Sequence, residues 1–255
     1  MAGNSASPGV SVTSRVLALL GAFDGTHRSL TLSQLAKRAD LPLATAHRLV
    51  AELVAWGALV RHASGEYVIG RRMWDLGLLA PVQSGLRQIA SPFLQDLYGA
   101  TFATVHLAIR DDDKALYLDR VSGHASVPVV SQMGSRLPLH ATGVGKVLLA
   151  HAPEEVQERV LANLTRVTAY TITQPGRMRE QLESIRRDGF ALTREEMSLG
   201  ACSVAVPVRA ADGTVVGGLG IVVPRLSGDR PRELQALQVA AQGIGRTIAA
   251  NPSAQ

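Results

Sequence analysis

The sequence holds a single cysteine, Cys202, in 255 residues. One thiol closes no internal disulfide and builds no zinc cluster. Covalent staples and structural zinc are therefore excluded, and the usage fits a reducing cytoplasm. Aromatic residues are also scarce, at 4% of the chain, so Ala, Leu, Val and Gly must fill the interior. No apolar run reaches the roughly 18 residues that a spanning helix needs. The N-terminus lacks a basic stretch followed by an apolar one and does not read as a secretory signal, so no membrane partner is expected. Nucleophile and metalloenzyme signatures of the GxSxG, HExxH and CxxC types are missing. Asp111-Asp112-Asp113 falls between two strand patterns and reads as a solvated turn, not a metal site. No cofactor is expected.

What is present is a chain with a core. Hydrophobic residues make up 46% and charged residues 18%, which excludes disorder as the class and suits one large or two ordinary domains. The net charge of +5 is unevenly placed. Residues 1–72 carry eight basic and four acidic side chains, whereas the remaining 183 carry 18 and 17. The positive excess sits at the front of the chain, as contact with phosphates requires.

That front segment contains the pattern around which the chain is organised, TLSQLAKRADLPLATAHRLVAELVAWGALV from Thr31 to Val60. Leu32, Leu35, Ala36 and Ala39 fall at helical spacing behind a cap at Thr31 or Ser33. Pro42 biases Leu41 away from the helical region and breaks the pattern. A second helix starts near Leu43, with Ala46, Leu49, Val50, Leu53 and Val54 inward and Thr45, His47, Arg48 and Glu52 outward. Two short helices across a tight turn make a helix-turn-helix, whose second helix presents its first residues to base edges and phosphates. An earlier helix spans Val12–Phe23, with Val16, Leu17, Leu19, Leu20 and Phe23 as its apolar face and Arg15 near its start. Gly57 closes the pattern as a C-cap. Leu59–His62 and Tyr67–Ile69 follow as a small hairpin, the wing, which lays Arg61 or His62 along a DNA backbone.

The domain reading is an arm over 1–9, a winged helix-turn-helix over 10–70, a linker helix over 71–84 and an α+β domain over 85–252. Met73, Trp74, Leu76 and Leu79 form the apolar side of the linker, read as core or as a dimer contact. In the second domain the pattern predicts a helix over Leu86–Tyr98, with Pro92 at its first turn or at a kink. Strands follow over 102–110, 114–121 and 126–132. Further helices are predicted over 153–161 and 176–187, and strands over 190–193, 204–209 and 214–223. An Asp212-Gly213 turn joins the last two strands, and Ser227 caps a final helix over 231–249. Helices alternate with antiparallel hairpins, an α+β arrangement.

The run Gly134–Lys146 imitates a phosphate loop without being one. Counted back from Lys146, the required first glycine is His140, and Val147 stands where Ser or Thr belongs. What remains is a glycine-containing helix start whose free N–H groups can hold a carboxylate. His106, His140 and His151 with Ser203, Cys202, Glu195 and Glu196 supply the parts of a hydrolase-like alternative. A protein-interaction module using the linker helix alone is a third reading, and it leaves the basic wing unexplained.

Three blocks in order, LSQLAKRADLPLATAHRLVAELVAWGALVR, GSRLPLHATGVGKVLLA and GFALTREEMSLGACSVAVPV, resemble the IclR family of bacterial transcription regulators. They span nearly the whole chain. The resemblance implies a winged-helix DNA-binding domain, a linker helix and a GAF-like effector-binding domain. It also implies dimers or dimers of dimers on double-stranded operator DNA, controlled by a small-molecule effector. It places DNA contacts at Arg15, Thr31, Leu43, Ala44, Thr45, His47, Arg48, Arg61 and His62. It places effector contacts at Met133, Leu139, Gly143, Val144, Thr193, Ser203, Gly220 and Val222. The chain departs from the pattern at Asp40, where the family usually has Gly, and at Leu43 and Ala44, often polar in the family. Leu43 and Ala44 donate no hydrogen bond, so base reading there leans on thymine methyl groups. Thr193 replaces an Asp of some members, Ser203 falls on a frequent Cys, and Gly220 and Val222 fall where acid-binding members carry Ser. The expected pocket is less polar than one built for a two-carbon keto acid. It suits an effector with an apolar or aromatic body and one carboxylate.

Overall fold

The structure is a computed structural model and describes residues 11–77, 84–123, 130–224 and 230–251. The chain divides after Val82 into two compact units. The expected arm over 1–9, the end of the linker helix over 78–83, the strand residues 126–129 and the Ser227 cap lie outside the described residues.

The first unit runs α1 (Val12–Gly21), α2 (Leu32–Arg38), α3 (Leu43–Trp56), β1 (Leu59–Arg61), β2 (Tyr67–Ile69) and α4 (Arg71–Gly77). Local chemistry sets each boundary. Ser11 Oγ caps α1 by accepting the Ser14 N–H. Thr31 and Gln34 form a reciprocal capping box at the start of α2. The α2–α3 turn is a Schellman motif: the Leu41 N–H reaches the Ala36 carbonyl and the Asp40 N–H the Lys37 carbonyl. Asp40 takes the left-handed conformation, at φ 52°, which Asp tolerates better than most residues. Gly57, at φ 86°, ends α3 in the same way. The core is Leu19, Leu30, Leu35, Leu49 and Leu59, all essentially inaccessible. Leu17 does not join it: it is 60% exposed, because its neighbours Val16 and Leu20 already fill the helical stripe facing the core. The wing is more than a hairpin, since Leu30 bridges Tyr67 through two backbone hydrogen bonds and anchors the sheet to the α1–α2 connection. In α4, Met73 packs on the core, but Trp74 and Leu76 are exposed.

The second unit is an α+β body around a six-stranded antiparallel sheet of order β5-β4-β3-β8-β7-β6. The strands are β3 (Thr104–Asp111), β4 (Lys114–Val121), β5 (Arg136–Pro138), β6 (Ala191–Arg194), β7 (Cys202–Arg209) and β8 (Val215–Val223). The helices are α5 (Ser84–Thr101), α6 (Gly143–Ala150), α7 (Glu154–Leu161), α8 (Pro175–Asp188) and α9 (Arg230–Ala250). Alternation along the strands sorts two cores. Val105, Leu107, Ile109, Val204, Val206, Val208, Leu219 and Ile221 pack with α5 and α9. Ala108, Tyr117 and Ala205 face the opposite way, toward α6, α7 and α8. Pro92 lies inside α5, so of its two expected positions the first turn is excluded and the interior one remains. Val130–Gln132 carry no strand, and the edge strand is instead Arg136–Pro138, paired with Lys114–Leu116. No described helix is long and apolar enough to cross a membrane.

Candidate functional sites

In the first unit, burial of Ala46, Leu49, Val50 and Leu53 leaves Leu43, Ala44, His47 and Arg48 exposed on one face of α3. Thr45 is half-buried beside them. Arg48 meets Glu52 at 3.2 Å with both side chains mostly exposed, a pairing weak enough to be exchanged for a phosphate. Arg61 stands at the end of β1 over the Tyr67 ring, 5.7 Å from its centroid. His62 begins the exposed wing turn, its N–H on the Glu66 carbonyl. Arg15 is half-buried on α1. Thr31 is engaged by the α2 cap: its hydroxyl accepts the Gln34 N–H at 3.3 Å.

In the second unit, a cavity opens between α6, the sheet and the loop 195–201, with about 480 Å³ of empty space including its mouth. Its floor is set by sheet register. Thr193, Ser203 and Val222 form one cross-strand row, and Ala205, Gly220 and His106 the next. The N-terminus of α6 sits directly on these rows. A Cβ on Gly143 would fall 2.4 Å from Ser203 Oγ, and one on Gly220 would fall 2.9 Å from Val144 Cγ1. Thr142 caps α6, its Oγ1 taking the Gly145 N–H and its carbonyl the Lys146 N–H. The amides of Gly143 and Val144 are then the open donors of the first turn, and both residues line the cavity. Apolar wall comes from Val130, Leu137, Met197, Ala201 and Ala205.

Two titratable groups line the cavity in uncharged form. Burial, aided by Arg120, pushes the His106 imidazole down to about 3, and its Nε2 lies 2.8 Å from Ser131 Oγ. Burial pushes the Tyr117 phenol up to about 12, against a hydrogen bond with Thr142. Behind α6, Lys146 is fully buried, its Nζ 2.6 and 2.7 Å from the Glu196 carboxylate oxygens and 2.6 Å from Gln181 Oε1. Glu196 immediately precedes the wall residues Met197 and Ser198, so this ion pair fixes the loop that closes the cavity.

Of the effector contacts expected from sequence, Gly143, Val144, Thr193, Ser203, Gly220 and Val222 come together around this cavity. Leu139 does not: it is wholly buried in the α6–α8 core. Met133 does not either, being 57% exposed in the loop before β5. His106, Tyr117, Ser131 and Thr142 went unassigned. For His106 a signal existed, since Thr104, His106 and Ala108 alternate with a purely apolar set along β3. Of the hydrolase-like parts, His106, Cys202 and Ser203 line the same cavity, with His106 Nε2 on Ser131 Oγ, and His140, His151, Glu195 and Glu196 lie outside that lining. Ser203 Oγ pairs with Thr193 Oγ1 at 2.5 Å, His140 with the Thr165 carbonyl, His151 with Arg209, and Glu195 with the Gly200 N–H. Cys202 is a buried free thiol. No group of three or more candidate metal ligands occurs among the described residues.

Comparison with known proteins places both units. The family model for the IclR helix-turn-helix domain matches residues 12–63, and that for the bacterial transcriptional regulator IclR C-terminal domain matches residues 80–246. The chain is 30% identical to the HTH-type transcriptional regulator KdgR of Dickeya chrysanthemi, over 92% of this chain and 79% of that protein. It is 32% identical to the HTH-type transcriptional regulator BhcR of Paracoccus denitrificans, over 86% and 80% respectively. Among solved structures, an IclR homologue from Microbacterium hydrocarbonoxydans complexed with 4-hydroxybenzoate superposes with a TM-score of 0.89 at 34% identity, covering 94% of this chain and all of that one. Thermotoga maritima IclR gives 0.75 at 27% identity, over 93% and 98%.

Proposed function

The chain belongs to the IclR family of bacterial transcriptional regulators, and on that premise we propose that it binds operator DNA through α3 and the wing under control of an aromatic or apolar carboxylic acid held at the α6 N-terminus. The observation that carries the effector half is the pairing of two open amides, on Gly143 and Val144, with a wall of Val, Leu, Ala and Met side chains. A carboxylate suits the amides and the positive end of the helix, and the apolar wall suits a ring or chain behind it. The 4-hydroxybenzoate complex of the Microbacterium homologue supports the same class. For the DNA half, support comes from the exposed row Leu43, Ala44, His47 and Arg48, with Arg61 and His62 on the wing and Arg15 and Thr31 flanking the motif. Met133 and Leu139 drop out of the effector set on their positions.

Regulation follows from differential binding. An acid that prefers one state of the effector domain shifts the population of paired DNA-binding heads, and so operator affinity. The functional unit we infer is a homodimer or a dimer of dimers. The exposed Trp74 and Leu76 of α4 are the apolar side chains suited to pairing two copies.

The test is a gel shift with DNA from upstream of the gene, repeated across a salt series and with candidate acids. Retention that weakens steeply with salt, and that an aromatic acid alters while glyoxylate and pyruvate do not, is the expected result. Salt-insensitive retention, or tight calorimetric binding of glyoxylate or pyruvate with none of aromatic acids, overturns the reading.

A further inference from the structure

The effector cavity has a second group of polar atoms that the carboxylate site does not use. The row Ala205–Gly220–His106 continues across β4 to Arg120, and the row Ser203–Val222 continues to Thr104. Leu118 is skipped in the pairing of β3 with β4, so Tyr117 and Arg120, three residues apart, share the cavity side of the sheet. His106 stacks edge-on against Tyr117, with ring centroids 5.1 Å apart. Ser131 ties the group together, its Oγ beside His106 Nε2 and its carbonyl accepting Arg120 Nη1 at 3.0 Å.

Two atoms of this group are buried without a hydrogen-bond partner among the described residues, the Thr104 hydroxyl and Arg120 Nε. Thr104 is wholly inaccessible. A buried polar atom left unpaired carries a desolvation cost, and such atoms in a native fold mark a place where a partner is missing. Two of them in one cluster, directly behind His106 and Ser131, which line the cavity, point to a ligand atom.

Spacing says which part of the ligand. The Gly143 and Val144 amides lie over Ser203, Ala205 and Gly220. His106 is one strand beyond Gly220 and Arg120 two strands beyond, about 5 and about 10 Å at ordinary sheet spacing. A single six-membered ring, with one hydrogen bond at each end, bridges that range. The groups that line the cavity there, a neutral imidazole and a hydroxyl, both accept as well as donate hydrogen bonds, which suits a hydroxyl better than an anion.

We propose that the cavity has a second polar pole, formed by His106 and Ser131 with Thr104 and Arg120 behind them, which reads a hydroxyl on the effector para to its carboxylate. The proposal rests on the reading of the cavity as an aromatic-acid site and specifies which acids it prefers.

Calorimetric titration of the full-length protein with benzoate, 4-hydroxybenzoate and terephthalate separates the two. The wild type is expected to bind 4-hydroxybenzoate at least tenfold more tightly than benzoate, and terephthalate no better than benzoate. Thr104→Val and Ser131→Ala, both near-isosteric, should each weaken 4-hydroxybenzoate about tenfold, the effect of losing one buried hydrogen bond, and leave benzoate within twofold. Thr104→Val should also raise the Tm of the ligand-free protein by a few degrees, because an unpaired buried hydroxyl is gone; a merely structural threonine would move it the other way. Equal binding of benzoate and 4-hydroxybenzoate by the wild type overturns the pole and leaves the carboxylate site standing. Terephthalate binding as tightly as 4-hydroxybenzoate overturns the hydroxyl assignment. Binding of none of the three overturns the aromatic-acid reading and the pole with it.

Discussion

Replacing Lys146 by Met isolates the interaction that holds the cavity wall. Lys146 and Glu196 lie 50 residues apart in sequence, their side chains are 0% and 7% exposed, and Nζ is within 2.7 Å of both carboxylate oxygens. Burial pulls the Lys146 ammonium below its ordinary range while Glu196 opposes that shift, so each charge is tolerable only with the other present. Lys146→Met strands the Glu196 carboxylate in the core, and breaking a buried pair from one side costs about 3–5 kcal/mol. Glu196→Gln in the same chain removes the stranded charge. The double variant should therefore recover to within about 1–2 kcal/mol of wild type, a non-additivity that a double-mutant cycle reads directly. Urea unfolding is the assay, and the choice of signal matters. Both tryptophans, Trp56 and Trp74, lie in the first unit, so fluorescence reports that unit and far-ultraviolet circular dichroism is needed for the second. Because Met197 and Ser198 follow Glu196 into the cavity wall, acid affinity should fall with the single variant and return with the double. A single variant within about 1 kcal/mol of wild type, or a double variant equal to the sum of the singles, would refute the argument from a stranded buried charge.

Acid should destabilise the second unit through His106. Its folded value near 3 lies below the ordinary 6.5, so the unfolded chain binds the extra proton and stability falls as pH drops below 6.5, by about 2 kcal/mol at pH 5. His140 and His151, also lowered by burial, act in the same sense; urea midpoints that do not move between pH 7 and pH 5 would contradict this. Arg48→Ala should leave the Tm almost unchanged, since its exposed pair with Glu52 contributes less than about 0.5 kcal/mol. It should also weaken operator binding and flatten the salt slope by about one unit, and an unchanged gel-shift affinity would count against α3 as the reading helix. Gly143→Ala forces a Cβ to 2.4 Å from Ser203 Oγ; it should abolish acid binding in calorimetry while acid-free operator binding persists.

Features that depend on neighbours in sequence were the legible ones. Thr31 and Gln34 make a capping box three residues apart, Gly57 ends α3 through its own left-handed conformation, and Gly213 turns the β7–β8 hairpin at φ 86°. Each is decided within one turn of chain. Features decided by partners far along the chain were not legible. The Leu30–Tyr67 bridge joins residues on either side of α2 and α3. The strand Arg136–Pro138 is three residues long and ends in proline, too short for alternation to register. Leu17 passed as core because a helical stripe read from sequence is wider than the surface a small three-helix unit offers it. For the cavity, the α6 start was visible as a glycine-containing turn with free amides. Its opposite wall was not, since nothing in Glu195–Ala201 announces that Glu196 turns inward to Lys146.

The cavity is a consequence of small side chains placed in register, which links the composition to the chemistry. Scarce aromatics leave the sheet surface under α6 to Ala205, Gly218 and Gly220, and a Cβ on either glycine would come within 3.2 Å of Val144. Larger residues there would lift the helix off the sheet and carry its open amides away from Ser203 and Thr193. Helix seating and anion binding are therefore set by the same positions. Gly220→Ala, which adds a single methyl group beneath Val144, should cost acid affinity more than it costs the Tm. Calorimetry and thermal melting on one sample decide it: a drop in Tm with acid affinity intact would show that the glycine serves packing alone.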